Sequence, residues 1–182
     1  MKQSIGVSTL LLILLFVLPL LVITPVLQRQ LTESEEPSEP LTIIPGDIDS
    51  AETVRVLDNG TVKEMTLADY LVGVVRAEMP ASFEREALRA QAVAARTYTL
   101  YKIKNGGNHG DTADICTDSK CCQAYISKEA ARSNWGGKAD AYEAKIEDAV
   151  YSTDGQAILY DGQPILAAFH SSSPGHTRSA GE

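Results

Sequence analysis

The sequence predicts an α+β domain, with β-hairpins around two to three helices, behind an N-terminal transmembrane helix. Three observations predict it. Asn59-Gly60 and Asp161-Gly162 each separate a pair of strand-like runs, and such dipeptides tolerate the positive φ that closes a hairpin. Between the two hairpins, apolar residues recur at helical spacing. Ahead of them, residues 5–27 carry no charge and are dominated by Leu, Ile and Val.

The 182-residue chain has a net charge of -8. Without its N-terminal segments roughly 130 residues remain, enough for one domain with a core. The acidic balance argues against a nucleic-acid partner, because no basic patch is available to neutralise phosphates. Three cysteines, Cys116, Cys121 and Cys122, are odd in number and clustered. That is not a disulfide framework; a metal site, or one bridge plus a free thiol, fits better.

In chain order, residues 1–27 read as a short cytoplasmic tip and an uncleaved anchor. The apolar run is long enough to cross a bilayer. Lys2 precedes it and keeps the N-terminus inside, which puts the remainder of the chain outside the cell membrane. The run ends Thr24-Pro-Val-Leu-Gln28, without the small-residue cleavage site of a signal peptide. Residues 28–52 read as an acidic linker, since Glu33, Glu35, Glu36 and Glu39 alternate with Ser and Pro and no amphipathic face can form. The domain is expected over residues 53–182. It opens with the hairpin Thr53–Leu57 and Thr61–Met65. Thr66 can cap the next helix, with Asp69 at capping-box spacing. Leu67, Leu71, Val74 and Val75 give that helix one buried face.

The helix stops at Glu78, because Pro80 has no N–H to give and restricts the residue before it. A carboxylate there faces the negative end of the helix dipole, and partial burial by Met79 and Phe83 would also disfavour its charged form. This is how a carboxyl group becomes a general acid. A second helix is expected from a Ser82 cap to Asn105-Gly-Gly107, with Leu88, Ala92, Ala95 and Thr99 as a narrow buried stripe. Arg96 lies off the centre of that stripe and reads as a solvated side chain. The polar loop after it places His109, Cys116, Cys121 and Cys122 within fourteen positions. A tetrahedral zinc would order a loop that has little packing of its own; a disulfide is the alternative for an extracytoplasmic chain. Trp135-Gly-Gly137 reads as a further loop. Ala139–Ser152 reads as a helix with Tyr142, Ile146, Ala149 and Val150 on one side. Residues 156–160 and 164–169 read as the second hairpin. It leads into His170-Ser-Ser-Ser-Pro-Gly-His176-Thr177, a loop dense in the hydroxyl and imidazole groups that bind sugars. The ending Ser179-Ala-Gly-Glu182, directly after this loop, reads as a C-terminally truncated fragment.

Tyr70-Leu-Val-Gly-Val-Val-Arg-Ala-Glu-Met-Pro80 followed by Ala90-Gln-Ala-Val-Ala-Ala-Arg-Thr-Tyr98 resembles the stage II sporulation protein D family, which includes amidase-enhancer-type cell-wall proteins. Ala113-Asp-Ile-Cys116, Cys122-Gln-Ala-Tyr125 and Phe169-His-Ser-Ser-Ser-Pro-Gly-His-Thr177 match in the same order. The resemblance covers roughly residues 50–182. It implies a lytic transglycosylase that cleaves peptidoglycan glycan strands, above all strands stripped of stem peptides, during sporulation and engulfment. It places the family's essential glutamate on Glu78 and an important arginine on Arg96. It also implies structural zinc on His109, Cys116, Cys121 and Cys122. This sequence has one extra residue between His109 and Cys116, and Cys121 where a second histidine is expected. His170, Ser172, Ser173, His176 and Thr177 would line the glycan groove. The implied partners are a cell-wall amidase/endopeptidase and other sporulation membrane proteins. A non-catalytic, glycan-binding enhancer of an amidase is the alternative function.

Overall fold

Thr53–Asp58 (β1) and Thr61–Thr66 (β2) form the antiparallel hairpin expected from Asn59-Gly60. Asp58 pairs with Thr61, and the two loop residues have φ of 48° and 81°. Positive φ at both positions is the signature of a type I′ turn, whose twist matches that of the strands. In this computed structural model the described residues are 46–171 and Gly175. The expected anchor and the linker up to Pro45 therefore lie outside them. Among the described residues no helix is long and apolar enough to cross a membrane.

Thr66 caps Leu67–Glu78, here the second helix (α2) after the short helix Asp47–Ala51 (α1). Its hydroxyl accepts from Asp69 N at 3.1 Å and donates to the Asp69 carboxylate at 2.8 Å, as the capping-box spacing predicts. Leu67, Leu71, Val74 and Val75 are all buried. The next helix, Arg85–Asn105 (α3), starts later than the expected Ser82. Pro80 first closes a turn, with Phe83 N donating to Pro80 O at 2.9 Å. Glu84 then occupies the N-cap without a side-chain bond. The Leu88, Ala92, Ala95 and Thr99 stripe is fully buried, and α3 ends at Gly106 with φ 71°.

Ile115–Cys116 (β3) adds parallel to the open edge of β1, giving the order β2-β1-β3. Lys128–Trp135 (α4) lies in a stretch with no predicted element. Ser127 caps it, but it buries only Ala131, so no apolar period announces it. Ala139–Tyr151 (α5) matches expectation and buries Ile146, Ala149 and Val150. Helices α2, α3 and α5 pack on one another around the core. A buried ion pair between Arg76 of α2 and Glu143 of α5 ties two of them together, with side chains 8% and 5% exposed. The second hairpin is shorter than expected, with only Leu159–Tyr160 (β4) and Gln163–Pro164 (β5) pairing across Asp161-Gly162.

Two sequence readings change at the base of the domain. Residues 47–51, read as linker, are helical, and Asp49 is 2% exposed. Arg96, read as solvated, is 0% exposed. Its Nη2 lies 2.6 Å from the Asp49 carboxylate, and Nε donates to both Asp49 oxygens at 3.0 and 2.8 Å. The remaining donors reach Val150 O and Gln156 O at 3.1 Å each. Asp154 fastens the same helix from outside, accepting from Ile48 N and Asp49 N at 3.1 and 2.8 Å. Helical spacing set Arg96 beside the apolar stripe, but its carboxylate partner comes from 47 residues away and is invisible to local pattern.

Candidate active site and metal centre

Glu78 ends α2 at an open cleft of about 300 Å³, lined also by Tyr98, Ser119, Lys120, Cys121, Cys122, Gln123, Ala168 and Phe169. Its Oε1 accepts from Ala124 N at 2.6 Å, so one carboxylate oxygen is held by the loop opposite. That loop is pressed onto α2 just upstream. Ile126 N donates to Gly73 O at 3.2 Å, and the Tyr125 ring stacks on Tyr70 at 6.0 Å and 9°. A Cβ on Gly73 would lie 2.1 Å from the Tyr125 ring, so only glycine allows this approach. The Tyr70-to-Glu78 motif is thus a clamp as well as a carboxylate carrier. The expected covering of Glu78 by Met79 and Phe83 is not how the cleft is built: neither lines it, and Phe83 is 49% exposed. Pro80 turns the chain at this point, and the loop after α3 supplies the wall instead. Burial pushes the Tyr98 hydroxyl up to about 12, so it remains a neutral hydrogen-bonding group at the cleft.

The same loop gathers His109, Cys116, Cys121 and Cys122, whose ligand atoms all lie within 4.8 Å of one another. His109 Nε2 is 3.5 Å from Cys121 Sγ and 3.7 Å from Cys122 Sγ. The extra residue before Cys116 therefore leaves His109 within the cluster. The adjacent cysteines converge because Asp118 folds the chain back: its carbonyl accepts from Cys121 N and Cys122 N at 3.0 and 2.8 Å, and its side chain accepts from Lys120 N at 2.8 Å. Their sulfurs are 3.8 Å apart and all three cysteines are free. Burial raises the Cys116 thiol, and raises Cys122 to about 12, whereas a hydrogen bond from Asn108 lowers Cys121. A cation among them would reverse the effect of burial, because coordinated thiols lose their protons. The donor set and its spacing fit a metal ion.

The structure therefore brings Glu78 to the same cleft as Cys121 and Cys122, while His109 and Cys116 line a second cavity that Cys121 shares. Arg96 does not line that cleft; its guanidinium is buried against Asp49. His170 is exposed and follows the cleft-lining Phe169. Ser172, Ser173, His176 and Thr177 lie outside the described residues. Sequence reading missed Tyr98, Lys120, Gln123 and Ala124 at the cleft. Tyr98 closes the second motif, and Gln123 and Ala124 follow Cys122 directly, so position in the motifs was the available signal.

The profile of the family described as "Stage II sporulation protein" matches residues 58–160, more than half of the chain. Stage II sporulation protein D of Bacillus subtilis (strain 168) is 40% identical over 123 residues, which is 67% of this chain and 36% of that protein. Stage II sporulation protein D of Bacillus amyloliquefaciens is 37% identical over the same shares. A protein named amidase enhancer, from Bacillus subtilis (strain 168), is 36% identical over 62% of this chain and 13% of its own length. The chain thus spans about a third of the two sporulation proteins it matches. Matched by the family model over more than half of its length, the chain belongs to the stage II sporulation protein D family.

Proposed function

We propose that this chain is a lytic transglycosylase acting on peptidoglycan glycan strands, with Glu78 as its single acid and base. The observation that carries the reading is the cleft itself: among the described residues lining it, Glu78 is the one carboxylate. Hydrolysing glycosidases generally use two. A lytic transglycosylase can use one. The Glu78 carboxyl protonates the glycosidic oxygen as the bond to the muramic anomeric carbon breaks. As a carboxylate it then takes the proton of the same sugar's 6-hydroxyl, whose oxygen attacks that carbon. The product is a 1,6-anhydro sugar, and no water is consumed. Among the described residues lining this cleft Lys120 is the cation, and in a stripped strand it would meet the free lactyl carboxylate of the muramic sugar.

Zinc is the metal that best suits the cluster. With Zn–S near 2.3 Å and Zn–N near 2.0–2.1 Å, a tetrahedron has edges of about 3.6–3.8 Å, against 3.5, 3.7 and 3.8 Å among His109, Cys121 and Cys122, with Cys116 within 4.8 Å of all three. His109, Cys116, Cys121 and Cys122 would fill all four positions, so zinc would order the loop and supply no open site for chemistry. The loop in turn positions Ala124 N against Glu78. An uncleaved anchor at residues 5–27 would place the domain outside the cell membrane, beside its glycan and a sporulation amidase.

Digesting peptide-free glycan strands with the full chain, in the absence of any amidase, should release 1,6-anhydro-muramic ends detectable by mass spectrometry. Glu78→Gln should abolish them, and full activity in that variant would exclude Glu78 as the acid. The amidase-enhancer relative favours a second reading, glycan binding that stimulates an amidase. Glycan binding without anhydro products, together with faster amidase turnover, would select it.

A further inference from the structure

We propose that Asn108 is a positioning residue of the metal centre, holding the Cys121 sulfur in place for the ion. Asn108 stands just beyond α3, between the helix end and the ligand loop. Lys102 Nζ donates to its Oδ1 at 3.3 Å. An ammonium group can only donate, so this contact fixes which end of the amide is oxygen and turns Nδ2 the other way. Nδ2 then meets Cys121 twice, at 3.1 Å to the backbone oxygen and 3.3 Å to Sγ.

Cys121 is the ligand with most need of such a partner. Cys116 is 4% exposed and packed in β3 beside β1, and Cys122 packs against the core cluster. Cys121 lines the Glu78 cleft on one side and, with His109, a second cavity of about 370 Å³ on the other. Packing therefore does little to hold its side chain. Three thiolates and one neutral imidazole around a divalent cation also leave a net charge of about -1 by formal count, which an N–H donor to sulfur offsets. Lys102 and Asn108 together run a hydrogen-bonded line from the last turn of α3 to the Cys121 sulfur.

The proposal rests on the cluster binding a metal, and zinc itself is the probe. The full chain is titrated with zinc against a chromophoric chelator. Asn108→Ala should raise the zinc Kd about tenfold or more, within the range for residues that support metal ligands. In a Cys121→His background, which keeps a fourth ligand but has no sulfur to receive the bond, the same change should cost less than about twofold. Lys102→Met, which leaves Asn108 present but frees its amide, should give a smaller loss in the same direction. Cobalt(II) loading adds a spectroscopic readout: the thiolate-to-metal charge-transfer band should move in Asn108→Ala and not in the Cys121→His background. Unchanged affinity in Asn108→Ala, or equal losses in both backgrounds, would overturn the proposal, since the carbonyl contact alone would then explain Asn108. Failure of the parent chain to bind zinc would instead overturn the metal reading on which it stands.

Discussion

Glu78 and Arg96 come from the two most specific motifs in the chain, yet the fold treats them in opposite ways. Arg96 is closed off from water, with its donors spent on Asp49 and on the carbonyls of Val150 and Gln156. Glu78 stands at an open cleft with one backbone bond from Ala124. A buried guanidinium saturated by partners cannot also bind a substrate carboxylate without abandoning them. A half-exposed carboxylate anchored at one oxygen keeps the other for chemistry. The contrast shows that a specific motif can mark the frame of a site as well as its reacting groups.

Experiments can break this contrast. The largest effect is expected at the open end: Glu78→Gln should lower glycan cleavage by about 10²–10⁴-fold, the usual worth of a positioned acid–base group, while thermal stability stays near that of the parent. The buried end should respond in reverse. Asp49→Ala should cost about 3–5 kcal/mol of stability, since it strands a buried guanidinium, and denaturant unfolding would measure it. If Asp49→Ala kept full stability but lost activity, Arg96 would belong to the chemistry after all.

The Arg76–Glu143 pair tests the same logic through pH. Burial pushes the Glu143 carboxyl up, but the hydrogen bond and charge of Arg76 outweigh it and hold the group below its ordinary 4.5. A depressed folded pKa contributes stability that is present above the unfolded value and lost as pH falls through the folded one. Glu143→Gln should therefore cost about 2 kcal/mol at pH 7, and the difference from the parent should shrink below about pH 4.5; a pH series of unfolding midpoints reads it. The smallest effect belongs to Lys120. Lys120→Gln should raise KM on peptide-free strands about tenfold, one charge-assisted hydrogen bond's worth, with kcat unchanged. An equal KM rise on strands whose lactyl carboxylates are amidated would remove Lys120 from that role.

Much of the fold was legible in local pattern. Asn59-Gly60 specified its hairpin, Thr66 and Asp69 capped α2, and the small-residue stripe of α3 marked its buried face. The start of α3 was misread because the Pro80 turn displaces Ser82 from the cap. Helices α1 and α4 were missed because each buries a single residue, Asp49 and Ala131 respectively, and so neither shows an apolar period. At the candidate site, the helix-end place of Glu78 and the clustering of His109 with three cysteines were legible in residue type and spacing. Tyr98 and Ala124 had only their position in the motifs as a signal, and Lys120 had none, because the fold of the loop against α2 decides which of its side chains face the cleft.

By itself, then, the sequence determined which residue types were available: one carboxylate at a proline-terminated helix end, and one imidazole with three thiols in a loop too polar to order itself. Only the tertiary structure decided their use. Gly73 admits the Tyr125 ring, which presses the ligand loop onto α2 and brings Ala124 N to Glu78. Asp49 returns across 47 residues to bury Arg96. Both outcomes depend on contacts between distant segments, and side-chain spacing along one element carries no record of those.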